Sequence, residues 1–451
     1  MAAASSESSA AAGVMPRRTS EFIGSMGIVA HLSDRDYPNA AEIVEKVQYL
    51  GVSYVRSNNM TNSEGVDPGI KKGIAATRAL GQRGVKLTMV VARPMKSKPT
   101  EADLRGAVAK TIDYLVNNQL TQHTDALETF TEYDNRYPKV QDWPTALKTA
   151  MIAMYEMRSR LAPGAKLIGP SLLGYNMPKT AHLMTTDGNG QPMNRYFDSG
   201  NIHSYYVGKT PESKFRDSTP YHTPSQFNVK PPTVERAVSM DQRLKFEAYY
   251  ISKDKPVIIT ETGYNTDPNG KFSGRIDEQS AATYMPRAYL DAFRIGIQRT
   301  YMYELFDEPS AEPQYQQYFG FFRSNGQARP HAVATHNLTS LLRGGSASFT
   351  PTALSYGCPD CSRLGLETVL LQKAPGEYWL AIWRKVSVFN ASTHVPTPKG
   401  SVSTKLTFTS PRRIKLYKDL AQTPAAGIPT GAATSFTIPV GPAVSLVKIT
   451  N

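Results

Sequence analysis

Short apolar runs alternate with stretches of helical periodicity between residues 22 and 343. Within the runs most positions are apolar, whereas in the stretches between them the apolar positions recur every three or four residues, as on one face of a helix. A run, a helix and a further run form a βαβ unit, whose two strands are parallel. Eight such units favour closure into a barrel. The main rival is an open doubly wound sheet, although no Gly-x-Gly-x-x-Gly turn follows the first run.

The same pattern gives bounds for the elements. We predict strands at residues 22–30, 52–56, 85–91, 126–131, 166–170, 196–203, 256–260 and 299–305. We predict helices at residues 40–50, 69–83, 101–118, 145–161, 177–186, 233–250, 277–295 and 330–343. A Pro- and Ser-containing insertion at 207–231 interrupts the alternation after the sixth strand. The fold class predicted for residues 21–343 is therefore α/β, a (β/α)8 TIM barrel.

The pattern changes near Gly344 and Gly345. Residues 346–451 contain short runs of strand composition without a helical period, separated by turns such as Pro375-Gly376. Short strands of this kind predict an antiparallel arrangement, so we expect a smaller all-β sandwich domain at 344–451. We expect this domain to support the barrel rather than to bind carbohydrate.

The start of the chain and its cysteines add two expectations. Residues 1–20 are rich in Ala and Ser and hold no apolar segment long enough for a secretory signal, so we expect a disordered leader. The only two cysteines, Cys358 and Cys361, cannot supply the four ligands of a structural zinc site. We expect a local disulfide between them, with two free thiols as the alternative. We favour an extracellular or periplasmic location over a cytoplasmic one.

Composition excludes some classes of protein. Hydrophobic residues make up 40% of the chain and charged residues 20%, and no apolar stretch approaches the roughly 18 to 20 residues of a membrane span. The formal charge is +13, and residues 344–451 carry 11 Lys and Arg against 4 Asp and Glu. Such a surface attracts acidic polysaccharide, an anionic envelope or nucleic acid. A solvated basic face without a dedicated partner is the alternative.

The most informative polar residues are two glutamates that end apolar runs. Glu132 follows the fourth run and Glu261 follows the seventh, 129 positions later. Because active sites of (β/α)8 barrels gather at the C-terminal ends of the strands, these two carboxyl groups are expected to meet. A carboxylic acid and a carboxylate about 5 to 5.5 Å apart are what hydrolysis of a glycosidic bond with retention requires. The chain therefore reads as a glycosidase.

The sequences around these glutamates, ETFTEYDN at 128–135 and ITETGY at 259–264, resemble those of the clan A glycoside hydrolases. The resemblance extends over residues 22–343, and it implies that Glu132 is the general acid/base and Glu261 the nucleophile. Most members have Asn before the acid/base, in contact with the sugar 2-hydroxyl, and commonly Pro after it. Here Thr131 and Tyr133 occupy those positions, and we expect both to contact substrate. A Thr hydroxyl offers one hydrogen bond but not the geometry of an amide.

Two other interpretations of the fourth strand remain open. Glu128 lies four residues before Glu132, inside the strand, and is a second candidate for the acid. It would sit deeper and could instead anchor a buried polar network. Glu132 could also be a solvated loop residue.

Further residues at strand ends have positions that are typical of this clan. The resemblance implies that Arg56, after the second strand, binds the nucleophile and keeps it ionised, because a guanidinium matches a carboxylate. It implies that His31 and His203 contact sugar hydroxyls. Tyr205 or Tyr206 is expected to support the nucleophile, with the other in the core. For the arginine and the histidines, a structural role is the alternative.

The eighth strand ends with aromatic and acidic residues. Tyr303 is the expected platform for the apolar face of a sugar, and Glu304 and Asp307 are candidate acceptors for its hydroxyls. Their spacing does not match a calcium loop, so we expect no metal and no other cofactor.

These observations predict a retaining glycoside hydrolase that acts on a β-linked poly- or oligosaccharide. A catalytically silent glycan-binding protein on the same scaffold and a transglycosylase are the alternatives. We expect a monomer whose partner is carbohydrate, with acidic polysaccharide as one candidate, and expect no nucleic-acid partner.

Overall fold

Eight parallel strands form the centre of the computed structural model. It describes residues 13–34, 37–57, 68–134, 140, 142–172, 184–221, 235–270, 272, 274–308, 315–422 and 427–451. The strands are β1 Met26–Val29, β2 Tyr54–Ser57, β3 Lys86–Val90, β4 Thr124–Glu128, β5 Lys166–Ile168, β6 Gly200–His203, β7 Val257–Thr262 and β8 Arg299–Met302. They pair in chain order, β8 pairs with β1, and a bridge between Ile168 and Ser199 joins β5 to β6. The sheet is therefore a barrel.

Helices cover the outside of the barrel. They are α1 Ala40–Leu50, α2 Pro68–Gln82, α3 Glu101–Asn117, α4 Trp143–Glu156, α5 Met240–Glu247, α6 Glu278–Arg294 and α7 Pro330–Leu342, and a π-helical turn, Ala248–Ser252, extends α5. The side chains of Asn39, Thr100, Ser239 and Asp277 cap the N-termini of α1, α3, α5 and α6. Such caps satisfy backbone N–H groups that the first turn leaves free. None of the described helices is long and apolar enough to cross a membrane.

Side chains fill the barrel interior as well as the space beneath the helices. Val29, Ala126, Ile168, Ile258 and Tyr301 form one apolar cluster. Because both faces of a parallel strand are covered in this architecture, the strands read as continuous apolar runs rather than as alternating ones. This burial is the physical reason why their pattern could be recognised.

The C-terminal region is a sandwich of antiparallel strands. They are β9 Leu354–Gly357, β10 Leu366–Ala374, β11 Glu377–Arg384, β12 Val402–Tyr417, β13 Ala433–Val440 and β14 Ser445–Thr450. The long strand β12 belongs to both layers: its first half pairs with β9 and β13, and its second half pairs with β14. Cys358 and Cys361 form a disulfide next to β9, as expected.

Two predictions about the chain are wrong in part. Residues 13–20 are not a disordered leader, because Gly13–Val14 pairs with β9 and Arg17–Arg18 pairs with β10. Their backbone groups satisfy open edges of the sandwich sheets, which composition does not reveal. The helix predicted at 233–250 begins later, since Glu235–Val238 is a strand paired with Phe215–Tyr221. The predicted helix at 177–186 falls mostly on 177–183, outside the described residues, as do 222–231 of the insertion.

A buried ion pair joins the barrel to the sandwich. Arg287 on α6 binds both carboxylate oxygens of Glu212, through Nε at 2.9 Å and through Nη2. The indole N–H of Trp383 on β11 donates to the same carboxylate at 2.6 Å. Glu212 lies in the segment that follows β6, so this contact fixes that segment against both α6 and the sandwich.

Candidate active site

Three side chains from different strand ends converge at the mouth of the barrel. They are Glu132 after β4, His203 at the end of β6 and Glu261 in β7. One oxygen of each carboxylate and a ring nitrogen of His203 all lie within 4.8 Å of one another. His203 Nδ1 is 3.1 Å from Glu132 Oε1 and 3.9 Å from Glu261 Oε2. The spacing of the two carboxyl groups is close to the roughly 5 Å typical of retaining glycosidases.

Glu132 holds an unusual backbone conformation, with φ at 44°. A side-chain-bearing residue in this left-handed region costs on the order of 1 kcal/mol or more, so the surroundings must enforce it. The Glu132 N–H donates to the carbonyl of Ser171, after β5, at 3.0 Å. The loops after β4 and β5 therefore fix together the position from which the Glu132 carboxyl group reaches the site.

Arg56 lies beneath the three residues and is almost fully buried. It donates to Glu128 through Nε at 2.7 Å and through Nη2 at 2.8 Å. Its Nη1 donates to Glu261 Oε2 at 3.2 Å, and Nη2 also donates to Thr131 Oγ1 at 2.9 Å. One guanidinium thus orients two carboxylates, and the Thr131 hydroxyl is turned toward it.

The environment of Glu128 makes it unsuitable as a proton donor. Burial alone would raise its pKa, but the charge and hydrogen bonds of Arg56 lower the pKa of Glu128 to about 2. Conversely, burial would lower the pKa of Arg56, and the charges of Glu128 and Glu261 raise it overall. Glu128 is fully buried and stays ionised at any ordinary pH. Its role is the one left open above, that of an anchor in a buried polar network.

His203 is positively charged in this setting. Burial would lower its pKa, but the charge of Glu261 and the hydrogen bonds to Glu128 and Glu132 raise the pKa of His203 to about 9. Its Nε2 lies 2.8 Å from Thr260 Oγ1, whose hydroxyl is 2.7 Å from Asn201 Oδ1. The Thr260 hydroxyl donates to the amide oxygen of Asn201 and accepts a hydrogen bond from His203 Nε2. The other ring nitrogen of the charged imidazole, Nδ1, donates to Glu132.

The two tyrosines after β6 take different places. Tyr205 donates from its hydroxyl to Glu261 Oε1 at 2.6 Å. Tyr206 is buried and stacks on Tyr264, with ring centroids 5.1 Å apart. Tyr205 is therefore the one of the pair that contacts the candidate nucleophile, and Tyr206 belongs to the core.

Tyr133 does not reach the mouth of the barrel. Only 1% of its surface is exposed, and its ring packs on Phe130 with centroids 4.8 Å apart. Burial also raises the pKa of its phenol to about 12. The expectation that Tyr133 contacts substrate is therefore wrong for this conformation. Beyond the end of a strand, side chains no longer alternate between two faces, so the direction of the Tyr133 side chain could not be predicted.

A second polar group lies where β8 meets β1. His31 Nε2 is 3.2 Å from Glu304 Oε2 and 3.2 Å from Glu308 Oε1. Tyr37 donates to Glu304 at 3.2 Å, and Tyr303 donates to Glu308 at 2.8 Å. The peptide bond that joins Tyr303 to Glu304 is cis. Sequence reasoning missed Tyr37 and Glu308, which lie in loops where no periodic pattern marks them.

The eighth strand thus differs from its prediction in detail. Tyr303 is 8% exposed and Glu304 is fully buried, so neither is an open rim residue. Asp307 is not turned toward the sugar site, because it pairs with Arg329 at the start of α7. Of the acidic residues after β8, Glu308 is the one whose side chain stays partly open, at 30% exposed.

Two triads within the described part of the chain have donor atoms that a metal could use. They are Glu132 with His203 and Glu261, and His31 with Glu304 and Glu308. All the nitrogen-to-oxygen distances given above are also those of hydrogen bonds or ion pairs between imidazolium and carboxylate. The expectation that the site works without a metal or other cofactor stays a prediction.

Comparisons with known proteins establish the fold. No protein-family model matches the chain, and no curated protein matches it in sequence. Among solved structures, a family 39 glycoside hydrolase from Bacteroides cellulosilyticus WH2 is 15% identical, with a TM-score of 0.59 over 97% of this chain and 83% of that one. A glucosidase from Croceicoccus marinus is 12% identical, with a TM-score of 0.61 over 98% and 97%. A monomeric β-xylosidase from Caulobacter crescentus CB15 is 14% identical, with a TM-score of 0.60 over 97% of both chains.

Proposed function

We propose that this chain, which has the TIM-barrel and β-sandwich fold of family 39 glycoside hydrolases, is a retaining glycosidase. Its substrate would be a β-linked poly- or oligosaccharide, cleaved by double displacement. One observation carries the proposal: Glu132 and Glu261 present carboxyl oxygens within 4.8 Å of each other at the mouth of the barrel.

In the first step the two carboxyl groups have opposite tasks. Glu132, protonated, gives its proton to the oxygen that leaves, while the carboxylate of Glu261 attacks the anomeric carbon. The bond from that carbon to the leaving oxygen breaks as the ester bond to Glu261 forms. In the second step Glu132 takes a proton from water, whose oxygen attacks the anomeric carbon and releases Glu261. Atoms and charges balance without a further reactant.

The surrounding residues suit these tasks. Arg56 and Tyr205 each donate to Glu261, which fixes its carboxylate and directs an oxygen toward the sugar. The His203 Nδ1 atom lies beside Glu132 Oε1, so a hydrogen bond there leaves Oε2 to carry the catalytic proton. Glu132 and Glu261 side chains are 14% and 12% exposed, respectively, which leaves both within reach of a ligand.

Substitutions that keep the size of each side chain test the assignment. We expect Glu261→Gln to lower kcat on any hydrolysed aryl β-glycoside by at least about 1000-fold, because no covalent intermediate can form. With Glu132→Gln, added azide should restore turnover of an aryl glycoside with a good leaving group and give the β-glycosyl azide. Glu45→Gln, at an exposed position on α1, is the matched control. Full activity of Glu261→Gln would refute the mechanism.

A second candidate is a catalytically silent glycan-binding protein on the same fold. Thr131 favours it, because its hydroxyl is within hydrogen-bond reach of Arg56 and lacks the amide geometry of most clan A enzymes. A panel of aryl β-glycosides and polysaccharides, with products identified by mass, separates the two candidates. Binding without any product would favour the silent protein.

A further inference from the structure

The mouth of the barrel has a second acidic wall beside the proposed catalytic pair. We call His31, Glu304 and Glu308 the acceptor wall, because two carboxylates there share one imidazole. Burial would lower the pKa of His31, but the hydrogen bond and charge of Glu304 raise it to about 9. Burial raises the pKa of Glu304 to about 8 in spite of His31. Of the residues that the structure describes, none donates a hydrogen bond to Glu304 Oε1.

The acceptor wall is continuous with the catalytic carboxylate through aromatic rings. Tyr205, which binds Glu261, packs on Phe319 with ring centroids 5.5 Å apart. Phe319 packs on Tyr303 at 5.4 Å, and Tyr303 packs on His31 at 5.8 Å. Burial, the charges of Glu304 and Glu308, and the charge of Glu261 all raise the pKa of Tyr303, so this ring lies between the acceptor wall and the candidate nucleophile.

Among the described residues, the acidic side chains of this wall outnumber its one imidazole. Glu304 and Glu308 face one His31, and the carboxylate of Asp34 is a further 3.6 Å from His31 Nδ1. Lys72, from α2, is a cation near this wall, and its ammonium group donates to the backbone carbonyl of Tyr37 at 2.7 Å. Glu308 is the carboxylate of the wall that a ligand can reach. Such a wall accepts hydrogen bonds and repels a second carboxylate.

We propose that the acceptor wall selects the sugar whose anomeric carbon reacts. It takes neutral sugars and amino sugars, whose hydroxyl or ammonium groups donate to Glu308, and it excludes uronic acids. The inference rests on the proposed function for the place of the sugar. It runs against the expectation of an acidic polysaccharide that the overall charge of +13 suggests, because the side chains of this wall are mainly acidic.

The test uses two sugars that differ at one carbon. 4-Nitrophenyl β-D-glucoside and its β-D-glucuronide are compared by kcat/KM on the full chain, and the methyl glycosides are compared by saturation-transfer NMR. We expect kcat/KM for the glucuronide to be at least about 100-fold lower, since Glu308 repels the carboxylate of the glucuronide. Glu308→Gln removes the charge at constant size and should narrow this ratio at least about tenfold. Glu45→Gln should leave the ratio unchanged.

The outcomes separate this inference from the proposed function. Equal use of both sugars, or a ratio that Glu308→Gln leaves unchanged, overturns the inference alone. If neither sugar is hydrolysed but the methyl glucoside binds in preference to the glucuronide, the selectivity of the wall stands, and the hydrolase proposal is decided separately by the panel of aryl β-glycosides. If neither sugar binds, the inference is overturned as well.

Discussion

Within the described residues, two buried pairs of arginine and glutamate look alike in isolation and differ in their surroundings. Arg56 binds Glu128 at the mouth of the barrel, and Arg287 binds Glu212 between barrel and sandwich. In both pairs the guanidinium meets both oxygens of the carboxylate, and in both the arginine is buried. Geometry of the pair itself therefore does not tell which one belongs to an active site.

The difference lies in what else each pair contacts. Arg287 gives its remaining donors to the carbonyls of Val386 and Pro442, and Glu212 accepts from Trp383, so charge and hydrogen bonds balance. Arg56 serves a second carboxylate, Glu261, whose side chain is 12% exposed. A balanced, closed pair fixes two parts of a fold, whereas an unbalanced and open one keeps a charged group ready for a ligand.

Replacing each of the two arginines by lysine should give the largest difference between the two pairs. Arg56→Lys keeps the charge but loses the fork that holds two carboxylates, and we expect kcat on an aryl glycoside to fall by about 100-fold or more. Arg287→Lys should leave kcat within about threefold and lower the free energy of unfolding by about 1 to 3 kcal/mol. Chemical denaturation and steady-state kinetics measure both. Equal losses of activity in the two variants would contradict the distinction.

The pH dependence of stability gives a second way to distinguish the site around Arg56 from the interface pair. The raised pKa of His203, about 9 against 6.5, means that the protonated form is stabilised by folding. That contribution is complete below pH 6.5 and is lost as pH rises through 9. The difference in unfolding free energy between wild type and His203→Gln should therefore shrink by at most about 3 kcal/mol between pH 6 and pH 10.

The interface pair supplies the control for this experiment. Trp383 carries no titrating group, and although burial alone would raise the pKa of Glu212, Arg287 keeps it lowered. The difference in unfolding free energy between wild type and Trp383→Phe should therefore stay constant over the same pH range. The titration of His31 contributes equally to every variant, so it drops out of both differences in unfolding free energy. A His203→Gln difference that is constant with pH would show that His203 is neutral in the folded protein.

Removing one hydrogen bond from Glu261 or from Glu212 should give the smallest effects. Tyr205→Phe removes the bond to Glu261 and should lower kcat about tenfold with little change in stability. Trp383→Phe removes the bond to Glu212 and should cost about 1 kcal/mol of stability without changing kcat. Thermal unfolding and kinetics on the same preparations measure both quantities. A loss of kcat in Trp383→Phe that equals that of Tyr205→Phe would mean that the sandwich takes part in positioning the site.

Much of the fold could be read from local pattern. Continuous apolar runs mark barrel strands because these strands are covered on both faces, and residues directly after them lie at the mouth of the barrel. That reasoning located Glu132, Glu261, Arg56 and His203. It did not single out Glu308 as a site residue, because Glu308 is one of several acidic residues after β8 and only its contacts with His31 and Tyr303 distinguish it.

The sequence by itself determined the order of strands and helices and the set of polar residues at strand ends, since both follow from interactions within a few residues. Only the tertiary structure separates the surroundings of Glu128 and Glu132, because Arg56, 72 positions before Glu128, binds Glu128 in the barrel interior, whereas Glu132 lies beside His203. The same holds for Tyr205 against Tyr206, which are neighbours in sequence but meet Glu261 and Tyr264 in space. Partners so far apart in the chain are brought together only when the barrel closes.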